Sequence, residues 1–316
     1  MDRKKIWKYV GRLVPILGLI LFVYIIVDVG IDNIINSFKS IPLHLYLIAS
    51  LFTIPKFFVY AHKWQYILKK QKLDLPLIHV ARIYLIAFFY GSVTPGAVGY
   101  HIRVYHVREK TKASLEKCIA NSLIDVSIGF ITGFFLALIG SILLIDKFPG
   151  LFPLVLGFFI FYIVMFLVLV TKKIGSKLFV IFVRPFIPSK YKEKIDKSVD
   201  KLYENIPRIR DIAYPFIAES FTWFIAALQV YIISLAFDIS VPFHIIIFCA
   251  IISVAAIAIL PISSGGLGVR EGTFVYLMSS FGVDPGVAFV ISLGGFFVKI
   301  LVPGVIGLII SFVKKD

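Results

Sequence analysis

The segment LPISSGGLGVREG, residues 260–272, contains the residue types and spacing most capable of chemistry in this chain. A Gly-rich break that leads into a helix exposes backbone N–H groups at the helix N-terminus, where an anion, most readily a phosphate, is favoured. Arg270 adds a guanidinium that can bind a phosphate through two parallel hydrogen bonds. Glu271 can pair with that guanidinium or receive a cationic group. The predicted binding residues here are Ser263, Ser264, Gly265, Gly266, Gly268, Arg270 and Glu271.

The same segment also fits a second interpretation, a Gly-rich turn that carries a structural ion pair, and this alternative stays open. Its glycines resemble those of a nucleotide-binding loop. However, no strand–helix–strand pattern surrounds them, so a nucleotide-binding function is excluded.

Composition indicates that these residues lie in a membrane. Of the 316 residues, 59% are hydrophobic and 16% are charged, and the mean hydropathy is +0.94. Soluble domains are about a quarter charged, so we predict an integral membrane protein. The net charge of +15 falls mostly in short segments between apolar runs, which favours a membrane surface rather than nucleic acid as its partner. Cys118 and Cys249 lie in apolar runs without metal-binding or redox spacing.

The apolar runs predict an all-α polytopic membrane protein with six full spans and two re-entrant broken hairpins. The predicted spans are 13–29, 43–60, 118–145, 152–171, 213–236 and 286–312. The pieces 77–100 and 243–281 are interrupted by Pro and Gly, and each has both flanks on one side of the membrane. The basic segment 172–211 is predicted to be an amphipathic or helical cytoplasmic loop.

Basic residues predict the orientation of the chain. With cytoplasmic N- and C-termini, most of the 33 Lys and Arg lie inside, in clusters that include 63–72 and 103–117. We therefore expect a multi-pass protein of the plasma membrane, with only Lys39 and Lys147 outside. The basic residues predicted at membrane depth are Lys56, Arg82, Arg270 and Lys299, of which Lys56 could instead snorkel to the interface.

This topology divides a single membrane domain, 1–316, into two units of opposite orientation. Residues 1–150 contain the hairpin 77–100, and residues 151–316 contain the loop 172–211 and the hairpin 243–281. Each hairpin breaks at a Pro followed by glycines and an Arg. Inverted repeats with broken helices are typical of secondary transporters, whose substrates bind where the breaks meet. Chance similarity between two Pro/Gly breaks is the alternative.

Charged residues inside the bilayer each cost at least ~2.5–3.5 kcal/mol, so each needs a partner or lines a pathway. Asp125 is predicted to pair with Arg103 or Arg82. Lys299 occupies the matching helix of the second unit, and Glu219 lies on the fifth span, where it could be near the cytoplasmic end. Each of them also fits a buried structural pair. The predicted binding residues therefore also include Asp125, Arg103, Arg82, Lys299 and Glu219. No catalytic residue, metal ligand or cofactor is predicted.

The motifs resemble those of the transmembrane family of lysylphosphatidylglycerol synthase/flippase proteins, also called the flippase-like or uncharacterised family 0104. The likeness covers about residues 8–312 and includes AESFTWFIAALQVYIISLAFDIS, residues 218–240. Its most specific part is the pattern P-x-S-x-G-G-x-G-x-R-E-G, which residues 261–272 match. In the first break Pro95, Gly96, Gly99 and Arg103 match, although the acidic residue that many relatives carry about three positions before that Arg is absent.

A second departure lies four and three residues before Asp125, where relatives often carry Glu-Arg and this chain has Asn121 and Ser122. The resemblance implies movement of lipids between leaflets. The soluble domain that attaches lysine to phosphatidylglycerol in two-domain members is absent from these residues, so we expect no lysyltransferase activity.

Expected partners are membrane lipids with phosphate head groups: phospholipids, aminoacylated phospholipids or polyprenyl-phosphate-linked sugars. A homo-oligomer and separate lipid-synthesising enzymes are further candidate partners. An intramembrane lipid-modifying enzyme, a small-solute transporter and a scaffold remain as alternative functions.

Overall fold

The computed structural model describes residues 39–94, 98–182, 184–203, 206–261 and 265–312, together with positions 27, 32, 35 and 36. Every regular element within these residues is a helix. The predicted span 13–29, apart from Val27, and the C-terminal VKKD lie outside the described residues. The α-helices are α1 Leu43–Leu51, α2 Thr53–Lys70, α3 Leu77–Val93, α4 Ile102–Thr111, α5 Leu115–Leu143, α6 Leu151–Val170, α7 Lys172–Phe182, α8 Ser189–Leu202, α9 Ala213–Ser234, α10 Phe243–Ile259, α11 Val269–Ser279, α12 Pro285–Phe296 and α13 Val302–Phe312.

Five helical stretches among the described residues are long and apolar enough to cross a membrane. They agree with the predicted spans other than 13–29, so the prediction of a multi-pass membrane protein is confirmed. The first combines α1 with α2, and the last combines α12 with α13 through a π-helical turn at Phe297–Leu301. The stretches are Leu43–Lys70, Leu115–Leu143, Leu151–Val170, Ile209–Ser234 and Pro285–Phe312.

Two shorter apolar helices, α3 and α10, coincide with the first arms of the predicted hairpins. After α3, a 3₁₀ turn at Val98–His101 leads into α4. The predicted hairpin 77–100 ends before this helix, which continues the chain to Thr111. Gly99 is required in this turn because a Cβ there would lie 2.1 Å from the Tyr90 carbonyl oxygen. Gly99 therefore packs closely against the last turn of α3.

Cap residues explain several helix boundaries. The Ser114 hydroxyl accepts a 3.3 Å hydrogen bond from the Lys117 N–H at the start of α5. The Asp284 carboxylate accepts a 3.0 Å bond from the Val287 N–H at the start of α12, where Pro285 is the first residue. Side-chain acceptors and an N-terminal Pro satisfy or remove free N–H groups at a helix start, so these boundaries are encoded locally.

The two short apolar helices pack against helices that are distant in the sequence. The helix α13 packs along α3, and α10 packs along α5. A Cβ on Gly307 would lie 2.1 Å from the Leu85 carbonyl oxygen, and one on Gly140 would lie 2.9 Å from the Phe248 side chain. Small residues allow this close approach between membrane helices. Each short helix thus lies against a long helix from the other half of the chain.

The basic segment 172–211 contains two helices, α7 and α8. The Ser198 hydroxyl of α8 donates a 3.0 Å hydrogen bond to the Glu116 carboxylate at the start of α5. The Tyr203 hydroxyl donates a 3.0 Å bond to the carbonyl of Val168 in α6. These contacts attach the segment to the ends of two membrane helices.

Candidate functional site

The packed helices α2 and α9 carry charged and polar side chains at two levels. They run antiparallel, because Lys63 meets Glu219 whereas Lys56, earlier on α2, meets Gln229, later on α9. Seven residues of α-helix span about 10 Å, so the two levels are about that far apart. We define the first cluster as Lys63, Arg103, Asp125 and Glu219, and the second cluster as Lys56, Gln229, Arg270, Glu271 and Lys299.

The first cluster is an alternating chain of two cations and two carboxylates. The Lys63 Nζ lies 2.7 Å from Asp125 Oδ1 and 2.5 Å from Glu219 Oε2. The Arg103 Nη1 lies 2.5 Å from Asp125 Oδ2. All four residues are at most 5% exposed. Because every charge has an opposite partner, the first cluster is neutral, as buried charges require.

The Arg103 guanidinium has a protein acceptor at each of its three nitrogens. Besides the bond to Asp125, its Nε donates to the Ser122 hydroxyl at 2.9 Å and its Nη2 donates to the Ser122 carbonyl at 3.2 Å. It also lies over the rings of Trp64 and Tyr84, 5.3 and 5.7 Å from their centroids. Arg103 is therefore engaged by the protein's own groups.

In the second cluster, Arg270 and Glu271 form a buried pair at the start of α11. The Arg270 Nη2 donates to Glu271 Oε1, and its Nη1 donates to the Gly265 carbonyl at 3.3 Å. Its Nε is buried and has no hydrogen-bond partner among the described residues. The Glu271 Oε2 accepts a 2.8 Å bond from the Gly268 N–H. The Glu271 carboxylate thus occupies part of the helix N-terminus that was predicted to bind an anion.

The glycines before this pair adopt backbone conformations that other residues avoid. Gly265, Gly266 and Gly268 have φ values of +63°, +74° and +85°. A side chain in this region costs roughly 1–2 kcal/mol. The predicted break between α10 and α11 therefore depends on glycine, and it places the Gly265 carbonyl and the Gly268 N–H against Arg270 and Glu271.

Lys56 is held by groups from two other helical segments. Its Nζ donates to Gln229 Oε1 at 3.1 Å and to the Lys299 carbonyl at 3.4 Å. In an α-helix that carbonyl would accept from residue 303, which is a proline without an N–H. The Gln229 amide in turn donates to the Ala49 carbonyl at 2.9 Å and to the Thr53 hydroxyl at 3.0 Å. Lys56 is thus bonded inside the bundle.

The Lys299 side chain is the least satisfied of the buried charges. It lies in the π-helical turn and is 6% exposed. No described carboxylate is within 4 Å of its ammonium, and no hydrogen bond from it to a described residue is found. Its charged neighbours are Arg270, Lys56 and Glu271. The second cluster therefore has three basic groups and one carboxylate.

The two clusters share a layout. Arg103 and Arg270 are each the second residue of the helix that follows an interruption, α4 or α11. The next long helical stretch adds Asp125 to the first cluster and Lys299 to the second. The helices α2 and α9 each add one residue to the first cluster and one residue to the second cluster. The layout is the same, but the first cluster is neutral and the second has an excess of basic groups.

The second break also contacts the end of α3. A Cβ on Gly265 would lie 3.2 Å from the Ser92 carbonyl oxygen, in the last turn of α3, and one on Gly304 of α13 would lie 3.5 Å from the Ser92 hydroxyl. The second break therefore contacts the end of the first hairpin's first arm. The predicted residues Pro95, Gly96, Ser263 and Ser264 lie outside the described residues.

Several sequence predictions are settled by these contacts. The predicted pairing of Arg103 with Asp125 is confirmed. Arg82 lies half-buried on α3, and both Asp125 oxygens are instead occupied by Lys63 and Arg103. Glu219 is 5% exposed and paired with Lys63, so it fits the alternative of a buried structural pair.

Two basic residues that were predicted in cytoplasmic clusters, and also Lys56, are buried inside the protein. Lys63, predicted in a cytoplasmic cluster at 63–72, is buried beside Trp64 on α2, which continues to Lys70. Arg103, predicted in the cytoplasmic cluster 103–117, is buried where α4 meets α5 and pairs with Asp125. Snorkelling of Lys56 is wrong, since the residue is 2% exposed.

Sequence reasoning missed Lys63 and Gln229 as members of the clusters. Lys63 lies seven residues after Lys56, which places both on one face of a helix, and this spacing was the available signal. Gln229 was visible as a polar residue in the apolar second half of α9. The described residues contain no group of three His, Cys, Asp or Glu that could hold a metal ion.

Comparison with known proteins gives consistent matches over most of the chain. A family model described as the lysylphosphatidylglycerol synthase TM region matches residues 11–307. A UPF0104 membrane protein of Methanothermobacter thermautotrophicus is 22% identical over 308 residues, covering 89% of this chain and 88% of that protein. A UPF0104 membrane protein of Pyrococcus horikoshii is 21% identical over 319 residues, covering 93% of this chain and 94% of that protein.

Proposed function

This chain belongs to the family of lysylphosphatidylglycerol synthase TM regions, and we propose that it moves a phosphate-bearing lipid between the two leaflets of a membrane. The lipid tails stay in the bilayer while the head group passes between the two interruptions. The N- and C-termini face the cytoplasm of a plasma-membrane protein in this proposal.

The contact between the second break and the last turn of α3, just before the first break, is the observation that carries the proposal. Gly265 lies against Ser92, and the buried Arg270 lies directly beside Gly265. Irregular backbone at membrane depth is tolerated only where protein or water satisfies it, and in transporters it marks the substrate site. A guanidinium with an unused Nε at such a point provides a donor for a phosphate oxygen.

The packing of the short helices supports an inverted repeat of six spans and two re-entrant hairpins. The pairs α3–α13 and α10–α5 correspond under exchange of the two units, and α2 packs with α9, its own counterpart. The shared layout of the two clusters supports the same relation. In this proposal the two units provide the opposed surfaces between which a head group crosses.

The residues have separate roles in this mechanism. Arg270 binds the phosphate, and Glu271 orients the guanidinium and fixes the start of α11 through the Gly268 N–H. The first cluster, whose charges are mutually paired, holds α2, α4, α5 and α9 together. Arg103 and Asp125 thus support the path, whereas Arg270 contacts the head group.

Reconstitution into vesicles tests the proposal. Vesicles with and without the purified chain carry a fluorescent phospholipid, and an impermeant quencher is added outside. If lipid crosses, the quenched fraction rises above that of protein-free vesicles, and the rise depends on Arg270. The double variant Arg270→Gln/Glu271→Gln removes both charges and keeps this pair of positions neutral. Arg184→Gln, outside the predicted spans and partly exposed in its pair with Asp196, is the control.

Two results would overturn the proposal. Quenching by the wild-type chain that equals the protein-free level for every phosphate-bearing lipid tried rules out the transport role. Transport that survives in the Arg270→Gln/Glu271→Gln variant at the rate of Arg184→Gln rules out the role of Arg270.

A further inference from the structure

We propose that the second cluster selects lipid head groups that carry a doubly charged phosphate monoester over phosphodiester, zwitterionic and cationic head groups. This inference rests on the proposed function and narrows its substrate class. The chemistry that the cluster recognises is a phosphate dianion, which a lipid head group or free phosphate could supply.

The charge balance of the second cluster is the first step. Lys56, Arg270 and Lys299 are basic, and Glu271 is the one carboxylate among them. With all four charged, the cluster has two positive charges in excess. The first cluster, with the same layout, is neutral. An uncompensated charge at this depth is costly, so a ligand that carries two negative charges would stabilise the fully charged form of the cluster.

The second step is the set of donors that the protein leaves unused. Arg270 Nε is buried without a partner, and the Lys299 ammonium donates to no described residue. The two side chains contact neighbouring residues of α12. The Arg270 guanidinium lies 4.4 Å from the centroid of the Phe296 ring, and Lys299 Cε would be 3.7 Å from a Cβ on Gly295. The free donors thus flank the same end of α12.

The third step is the match to head groups. A phosphate monoester offers three oxygens and up to two negative charges, which suits a guanidinium and an ammonium together. A phosphodiester carries one charge and leaves one positive charge uncompensated. A zwitterionic head group brings its own cation, and an aminoacylated one with net positive charge is repelled by Lys56, Arg270 and Lys299.

Binding measurements on the purified full chain test the selectivity. The probes are phosphatidic acid, phosphatidylglycerol and phosphatidylcholine with the same short acyl chains, and inorganic phosphate. We expect phosphatidic acid to bind about ten-fold or more tightly than phosphatidylglycerol, the worth of one charge-assisted hydrogen bond. Phosphatidylcholine and inorganic phosphate should bind more weakly still, the latter because it lacks acyl chains.

The variant Lys299→Met tests the residue. It should bring the affinity for phosphatidic acid down to that for phosphatidylglycerol and should raise the melting temperature, because it removes an unpaired buried cation. A merely structural lysine would not show both changes. Lys147→Met is the matched control, since Lys147 is exposed and bonds the Ser280 carbonyl away from the cluster. If Lys299→Met fails to fold, the ranking of the four probes on the wild-type chain still decides.

The outcomes separate this inference from the proposed function. Equal affinity for phosphatidic acid and phosphatidylcholine overturns the inference, even if vesicles show lipid transport. The expected ranking without transport in vesicles upholds the inference and overturns the transport role. Inorganic phosphate that binds as tightly as phosphatidic acid upholds the dianion site but overturns the lipid as its source.

Discussion

The ion pair between Lys63 and Glu219 gives the sharpest prediction about the first cluster. Lys63→Met removes a cation that lies 2.7 Å from Asp125 and 2.5 Å from Glu219. It leaves two buried carboxylates with Arg103 as their only partner in the cluster. Adding Glu219→Gln restores neutrality, because the remaining pair is Arg103 with Asp125.

The magnitude follows from the burial of these groups. Removing one member of a buried ion pair costs about 3–5 kcal/mol, mainly because a charge is left uncompensated. In the double variant the remaining loss is of one or two hydrogen bonds, each worth about 1 kcal/mol. The double variant should therefore be more stable than Lys63→Met alone by about 2–3 kcal/mol.

Unfolding of the purified chain in mixed micelles by a denaturing detergent measures these differences, with tryptophan fluorescence as the probe. Lys70→Met and Asp211→Asn form the matched control, because this pair has a similar separation of 2.8 Å but its lysine is 39% exposed. We expect the second substitution to restore much less stability in this exposed pair, that is, a much smaller coupling energy between the two substitutions, since surface pairs are screened by water. Equal coupling in both pairs, or a double variant no more stable than Lys63→Met, would refute the reasoning.

Three further predictions concern the second break, the core and the orientation. Gly266→Ala should destabilise the chain by about 1–2 kcal/mol or more, because φ is +74° and the new methyl would lie 2.2 Å from a side chain of α10. Asn121→Leu should cost about 2–4 kcal/mol, because it leaves a buried Trp donor and a buried Gln acceptor unpaired. An impermeant thiol reagent should label Lys197→Cys from the cytoplasmic side and Lys147→Cys from the opposite side.

Each of these predictions has a control and a contradicting result. Gly157→Ala should be tolerated, because a Cβ there meets nothing within 4 Å, and equal effects at the two glycines would contradict the role of the left-handed turn. Asn121→Leu that unfolds like the wild-type chain would show that the buried hydrogen bonds are not needed. Labelling of both cysteines from the same side would contradict the inverted orientation of the two units.

Much of the helical framework was predictable because its signals are local. The length of an apolar run decides whether a helix can span a bilayer, and five of the six predicted spans have a helix in the described residues. The second break was predictable because a run of glycines marks a left-handed turn, which Gly265, Gly266 and Gly268 form. The pairing of Arg103 with Asp125 was predictable from cost, because each buried charge requires a partner.

The membership of the clusters was not predictable in the same way. Lys63 lies in a stretch with several basic residues, which indicates a cytoplasmic loop, and only the continuation of α2 to Lys70 places it in the core. Its partners Asp125 and Glu219 come from positions 62 and 156 residues further along the chain. No local pattern specifies which distant helix will contact a given face.

The sequence by itself determined that the chain is helical, lies in a membrane and breaks two of its helices with glycine, because apolar length and backbone freedom belong to single segments. The tertiary structure alone decided which charges cancel. The arrangement of α2, α9 and the two long helices gives Arg103 carboxylates at its level and gives Arg270 two lysines. Electrostatic balance depends on distances of a few ångströms between segments, and those distances exist only once the helices have packed.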